Sequence, residues 1–219
     1  VFYFGPLIRE NPLSQVVLTI NSENNTLNSL KLLNEVLIQK TLTLINSFKK
    51  PKILIFVQSR KDTYNTGFSL IKKMQGKHIN SSGIFESIEN VYLKKIPFSF
   101  KNLLRMGIGI HHSGLSKKEK NFMENKFKSG LLHILITTNT LAWGVNLNAK
   151  NVIIKGTKIY SQKKASWVEI SGTNIVQMLG RTGRFNSDKY SSSFLLTVST
   201  DIERYLKIIK NKTPVESTI

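Results

Sequence analysis

Cysteine is absent from the 219 residues, which excludes disulfides and any zinc site built on thiolates. That suits a reducing compartment without demanding one. No apolar run approaches the ~20 residues needed to span a bilayer, and the first residues lack the charge-then-apolar order of a secretory signal. Acidic residues are few, 13 against 32 basic, giving a formal net charge of +19. Such an imbalance points to a polyanionic partner, most simply nucleic acid. Lysine and asparagine are abundant along the whole chain, as in AT-rich coding sequence, so charge alone weighs little. Arginine is scarce: only Arg9, Arg60, Arg105, Arg181, Arg184 and Arg204 occur. There is no Gly-x-x-x-x-Gly-Lys-Ser/Thr loop, since Gly76-Lys77 is followed by His78 and lacks the earlier glycine, and no Asp-Glu pair suited to hold magnesium. The chain cannot cradle nucleotide phosphates by itself.

What is present fits one α/β domain with a sizeable core, at 24.9 kDa and 40% hydrophobic residues. The chain opens at Val1 without methionine and directly into apolar residues, so it reads as a piece of something longer. Val16 to Ile20 is a β-branched run expected to be a strand. Leu27 to Phe48 carries apolar residues at three- and four-residue spacing and predicts a long amphipathic helix, stopped by Pro51. Ile53 to Val57 is an apolar strand of the fully buried kind, with a returning helix over Thr63 to Met74. Gln75 to Pro97 is an irregular excursion with a short helix around Phe85 to Ile88. A helix over Phe100 to Met106 and a strand over Gly107 to His111 follow. Ser116 to Lys128 is a helix whose Ser116 and Glu119 form a capping box and which Gly130 closes. Strands are expected at Leu132 to Thr137, Val152 to Lys155 and Ser193 to Val198, and helices at Ser171 to Leu179 and Asp201 to Ile209. Strands alternating with helices imply a parallel sheet.

Ligands of such sheets collect at the carboxyl ends of the strands. Ser59-Arg60, His112-Ser113-Gly114 and Thr138 each follow a strand and would form one continuous edge. His111 and His112 are read as one histidine in the sheet and one at its edge. His78 and His133 lie in unrelated segments, so no metal site is expected. Gly156 to Ile170 has two β-prone arms around a basic tip and reads as a β-hairpin. Gln177-Met178-Leu179-Gly180-Arg181-Thr182-Gly183-Arg184 sets two arginines three residues apart on a short helix, where both guanidinium groups would share a face. A planar, permanently charged fork suits charge developing on a transferred phosphoryl group.

That last stretch resembles the final motif of superfamily-two helicases, Gln-x-x-Gly-Arg-x-Gly-Arg. Three further stretches match in family order: ILIFVQSRKD from Ile53, His111-His112-Ser113-Gly114-Leu115, and ILITTNTLAWGVNLNA from Ile134. The Trp-Gly-Val-Asn form, with VIIKGTKIY from Val152, FYF near the start and PVES near the end, is similar to the Ski-two-like branch. Within it, the resemblance is to the group of the spliceosomal unwinding helicase and the activating-signal-cointegrator helicase. Thr182, Phe185 and the lack of a proline after Arg184 depart from the commonest form, and Asn148 stands where the family usually has proline.

The resemblance implies the second RecA-like domain of an ATP-dependent RNA helicase acting in pre-mRNA splicing. It implies a segment entering from a preceding domain over residues 1–26, the domain itself over 27–211 with its hairpin at 156–170, and a linker over 212–219. Arg181 and Arg184 would be fingers on the γ-phosphate of ATP, with Gln177 beside them in the catalytic set. Gly144 and Asn146 would face the nucleotide, and the magnesium would be held by the first RecA-like domain of the same polypeptide. Ser59, Arg60, His112, Ser113, Gly114, Thr137 and Thr138 would line the nucleic-acid backbone, and Trp143 would pack. The tip Ser161, Gln162, Lys163 and Lys164 would separate strands. The implied partners are RNA, with DNA open, and a large ribonucleoprotein assembly, with no membrane. The implied location is the nucleus, with the cytoplasm open. A cointegrator-type DNA/RNA helicase, a non-catalytic protein-interaction cassette and a stand-alone basic RNA-binding domain remain as alternatives.

Overall fold

The computed structural model describes residues 13–21, 27–48, 50–74, 98–139, 141, 147–161, 165–182 and 191–210. Among them, the chain runs β1 (Leu13–Ile20), α1 (Leu27–Ser47), β2 (Ile53–Val57), α2 (Arg60–Lys73), α3 (Phe98–Arg105), β3 (Ile108–His111) and α4 (Lys117–Lys128). It continues with β4 (Ile134–Thr138), β5 (Asn151–Lys155), β6 (Lys158–Ser161), β7 (Ser166–Glu169), α5 (Gly172–Leu179), β8 (Ser191–Val198), a 3₁₀ turn (Ser199–Asp201) and α6 (Ile202–Lys210). The excursion expected at Gln75 to Pro97 lies outside the described residues.

Six strands form one sheet in the order β1-β8-β5-β2-β4-β3, and every pairing in it is parallel. The two central strands β2 and β5 are buried along their whole length. This is why ILIFV and NVIIK show no polar alternation: both faces of a parallel strand are covered. Side chains leave β4 alternately for two layers of helices. Ile136 lies against Gly67 of α2, whereas Leu135 lies with Met123 of α4 around Gly109. The hydrophobic cluster runs through both layers, with Leu70, Leu103 and Phe127 fully buried. The expected parallel α/β architecture is therefore present. So is the hairpin, since β6 and β7 pair antiparallel as a separate two-stranded sheet from Lys158↔Glu169 to Ser161↔Ser166.

Three expectations need correction. The strand read at Val16 to Ile20 pairs with β8 over the eight residues Leu13–Ile20. Residues 13–20 thus belong to the sheet and do not merely enter it. The helix read from Thr63 begins at Arg60, because Ser59 caps it by accepting the Asp62 N–H at 3.1 Å. The helix expected to carry the arginines ends at Leu179, as read, with Gly180 as its C-cap, so Arg181 does not lie on it. Arg181 therefore sits in the following turn, and Thr182 bridges to Ala149.

Candidate nucleic-acid and nucleotide interfaces

The order β2-β4-β3 sets three carboxyl ends side by side, bringing Ser59-Arg60, Thr138 and His112-Ser113-Gly114 onto one edge. Two capped helices also begin there, α2 behind Ser59 and α4 behind Ser116. Their free N–H groups and dipoles favour an anion. Arg60 is exposed, and its guanidinium lies across Gly114: a Cβ on that glycine would stand 3.2 Å from Arg60 Nη1 and 3.1 Å from His112 Nδ1. Two strand ends thus meet so closely that a Cβ there would have to displace its neighbours by a few tenths of an ångström. Ser113 and Gly114 are exposed beside Arg60, and Lys120 Nζ approaches the Ser113 carbonyl at 3.5 Å.

His112 and Thr137 were expected to touch nucleic acid; both are buried and bonded within the domain. His112 is 5% exposed. Its Nδ1 accepts the Gly114 N–H at 3.1 Å, and its Nε2 lies 3.3 Å from the Tyr64 hydroxyl. Because Nδ1 accepts, the proton belongs on Nε2 and is donated to Tyr64. The ring shapes the edge from beneath. The Gly114 N–H, expected to face a phosphate, is the donor it holds. Burial lowers the His112 pKa below its ordinary 6.5, and the Arg60 guanidinium lowers it further. Thr137 is fully buried, and its hydroxyl donates to the Thr138 carbonyl at 3.0 Å. Ser59 accepts from Asp62, but a hydroxyl that accepts can still donate. The side chains that remain exposed or half-buried along this edge are those of Ser59, Arg60, Ser113 and Thr138.

His111 is buried as expected for a sheet histidine. Its Nε2 meets Glu124 Oε1 at 2.9 Å, and burial nonetheless pushes its pKa below 6.5. Among the described residues no cluster of three or more His, Cys, Asp or Glu could hold a metal, and no helix is long and apolar enough to cross a membrane.

The arginine motif lies at the other end of the sheet. The Lys150 N–H donates to the carbonyl of Lys52, just ahead of β2, and the Ala149 N–H donates to the carbonyl of Arg181, both at 3.0 Å. Ala149 therefore marks the amino edge, and it fixes the Arg181 backbone there. Gln177 is half-buried on α5. Five strand residues separate this edge from Arg60, about 17 Å at the usual rise. Fully buried Leu147 and Ala149 anchor the return of the segment that leaves β4 at Thr138. Gly144, Asn146 and Arg184, all expected at the nucleotide, lie outside the described residues, as does Trp143. On the hairpin, Ser161 ends β6, while Gln162, Lys163 and Lys164 likewise lie outside them.

One functional group escaped the sequence reading. Lys155 Nζ, at the end of β5, reaches Asp62 Oδ1 at 2.7 Å, Asn34 Oδ1 at 3.0 Å and Thr66 Oγ1 at 3.3 Å. This fixes the first turn of α2, which carries Arg60. A lysine closing an apolar strand was the available signal, since a buried ammonium requires a partner.

A wholly parallel sheet in this order, with a hairpin inserted ahead of an arginine-bearing turn, defines a RecA-like domain. The chain belongs to the helicase conserved C-terminal domain family, whose model matches residues 33–186, and its motifs are those of the superfamily-two, Ski-two-like branch. It is 34% identical over 223 residues to both the DExH-box ATP-dependent RNA helicase DExH13 of Arabidopsis thaliana and the pre-mRNA-splicing factor brr2 of Schizosaccharomyces pombe. It is 33% identical over 225 residues to the activating signal cointegrator 1 complex subunit 3 of Mus musculus. Each alignment takes in 99% of this chain and 10% of the relative. The chain thus spans about a tenth of the curated relatives it matches.

Proposed function

We propose that this domain is the second RecA-like half of an ATP-dependent RNA helicase that unwinds duplexes in pre-mRNA splicing. The observation that carries this reading is the separation of two basic sites. Arg60 lies over Gly114 at the carboxyl edge, and Arg181 is pinned to Ala149 at the amino edge. The names of the relatives, an ATP-dependent RNA helicase and a pre-mRNA-splicing factor, support the same assignment. The cointegrator subunit at 33% identity favours a second reading, a helicase of that type on RNA or DNA.

In this reading the domain occupies residues 13–211, with a linker beyond. RNA lies along Ser59, Arg60, Ser113 and Thr138, and His112 and Gly114 keep the edge in shape. Arg181 and Arg184 close on the nucleotide from the amino edge, with Gln177, Gly144 and Asn146 beside them. A guanidinium donor fits a triphosphate. No acidic cluster at either edge of the described residues fits magnesium, so the first RecA-like domain would hold that ion. ATP, when bound between the domains, supplies the free energy of hydrolysis. This chain's arginines orient and neutralise phosphate oxygens, and the hairpin tip from Ser161 to Lys164 parts the strands. The host is a nuclear ribonucleoprotein assembly.

The test is Arg181→Ala in the full-length protein. RNA-stimulated ATP turnover should fall by about a thousandfold, with ATP affinity changed far less, because finger contacts strengthen as charge develops. Turnover within a few-fold of wild type would refute the assignment and leave Arg181 a structural residue.

A further inference from the structure

The root of the hairpin is held by charge. The first rung of its ladder pairs Lys158 with Glu169, and each member is met by an opposite charge from one short segment at the start of α6. Lys158 Nζ lies 3.6 Å from Asp201 Oδ2, with the two side chains 16% and 11% exposed. The Glu169 carboxylate is paired with the Arg204 guanidinium. Asp201 and Arg204 are three residues apart, close to one helical turn. The two ion pairs, the Lys158↔Glu169 rung and the stretch of chain from Asp201 to Arg204 thus close a ring. Inside the ring, the Ile170 N–H donates to the Thr157 carbonyl at 2.8 Å, and the fully buried Tyr205 donates its hydroxyl to the same carbonyl at 3.5 Å. The Thr157 and Thr197 hydroxyls are 3.0 Å apart. On the sheet side the chain enters the hairpin at Gly156, φ 75°, where a Cβ would overlap Gln58.

We infer that this ring, Lys158–Asp201 and Glu169–Arg204, is a positioning device. It fixes the direction in which the hairpin projects from the sheet and so sets how much strand separation accompanies each ATP hydrolysed. The inference rests on the proposed role of the hairpin as a wedge. A two-stranded ribbon on its own is marginally stable in water. Contacts along one side of its first rung would leave it free to hinge, and opposite charges reaching both strands of that rung from one helix remove that freedom. None of the four side chains belongs to the nucleotide or nucleic-acid contacts proposed above. Their effect is on geometry.

The experiment uses the full-length protein and reads duplex unwinding per ATP hydrolysed, with single-stranded RNA-stimulated ATPase and thermal midpoint measured alongside. Glu169→Gln, Arg204→Gln, the double variant and Asp201→Asn are compared with Arg204→Lys, which keeps the charge. Each neutralising variant should lower the ratio by about three- to fivefold, the size that partly exposed ion pairs can set. ATPase should stay within about twofold, Arg204→Lys should restore most of the ratio, and the Glu169/Arg204 double should be no worse than either single. A comparator whose 161–165 segment is cut to a two-residue turn tests the wedge reading itself and should lose unwinding. If the comparator loses unwinding while the neutralising variants keep the ratio, the clamp is refuted and the wedge stands. If the comparator unwinds normally, the wedge reading fails and the clamp fails with it. If unwinding, ATPase and midpoint fall together, the ring is structural and the inference is wrong.

Discussion

His112 shows how a buried side chain can shape an edge from beneath. Its neutral ring accepts from Gly114 on one nitrogen and meets Tyr64 on the other, stacked obliquely with the Tyr64 ring at 5.6 Å. A proton on Nδ1 would remove the acceptor for the Gly114 N–H and set a cation against Arg60. The folded-state pKa of His112 is lowered, by burial first, and so is that of His111. In both cases the unfolded chain takes up the proton first. Their contribution to stability is therefore fully present above about pH 6.5, the unfolded value, and is lost as pH falls from there towards the folded pKa. Urea midpoints taken between pH 7.5 and 5 should fall through that window. His112→Asn keeps an acceptor near the Nδ1 position but cannot titrate, and it should flatten part of the slope. An unchanged slope would mean that the ring is not held neutral. The sequence marked the position of this residue but not its burial. Spacing after a strand predicts position, whereas burial of the ring depends on Tyr64, brought from 48 positions away.

At the scale of elements, local signals were legible and tertiary ones were not. Ser116 and Glu119 form both bonds of the capping box, at 3.3 and 2.7 Å, because every participant lies within four residues. Ile53–Val57 begins and ends where its apolar run does. The end of α5 at Leu179 was legible too, but the parallel bridge from Thr182 to Ala149, a contact between distant segments that sets the turn carrying Arg181, was not. Nor was the Lys155 junction, which joins β5 to α2 through Asp62 and Thr66 and to α1 through Asn34. Removing the ammonium while keeping bulk leaves Asp62 without its partner. Lys155→Met should cost about 3 kcal/mol, the low end for a broken buried pair, because the Asp62 side chain keeps 21% exposure. Urea denaturation measures it. A loss under about 1 kcal/mol would show that water replaces the lysine.

At the scale of the whole domain, two basic sites at opposite ends of one sheet should fail independently when mutated. Arg60→Ala should weaken single-stranded RNA binding across all sequences and reduce the salt dependence of log K by roughly one ion. ATP turnover at saturating RNA should change little beside the collapse expected for Arg181→Ala. Equal losses in both assays from either change would mean that the edges do not act as separate sites. The relatives' names and the motif order could be anticipated from sequence. That the two sites lie at opposite edges could not, because Arg181 is held at the amino edge by the Ala149 N–H, a contact between segments far apart in the chain.

The strand order dictates a sequence of events during synthesis. β1 is made first among the described elements, yet its neighbour in the sheet is β8, the last strand, 178 positions further on in register from Leu13↔Ser191 to Ile20↔Val198. β8 must slide between β1 and the already paired β5. Until residues 191–198 emerge, β5 presents an open flank and β1 has no place in the sheet. Non-local parallel pairing is slow, and unpaired strand edges are where nascent chains associate wrongly. Neither β1 nor the open flank of β5 can be paired before β8 is made, so this side of the sheet closes late.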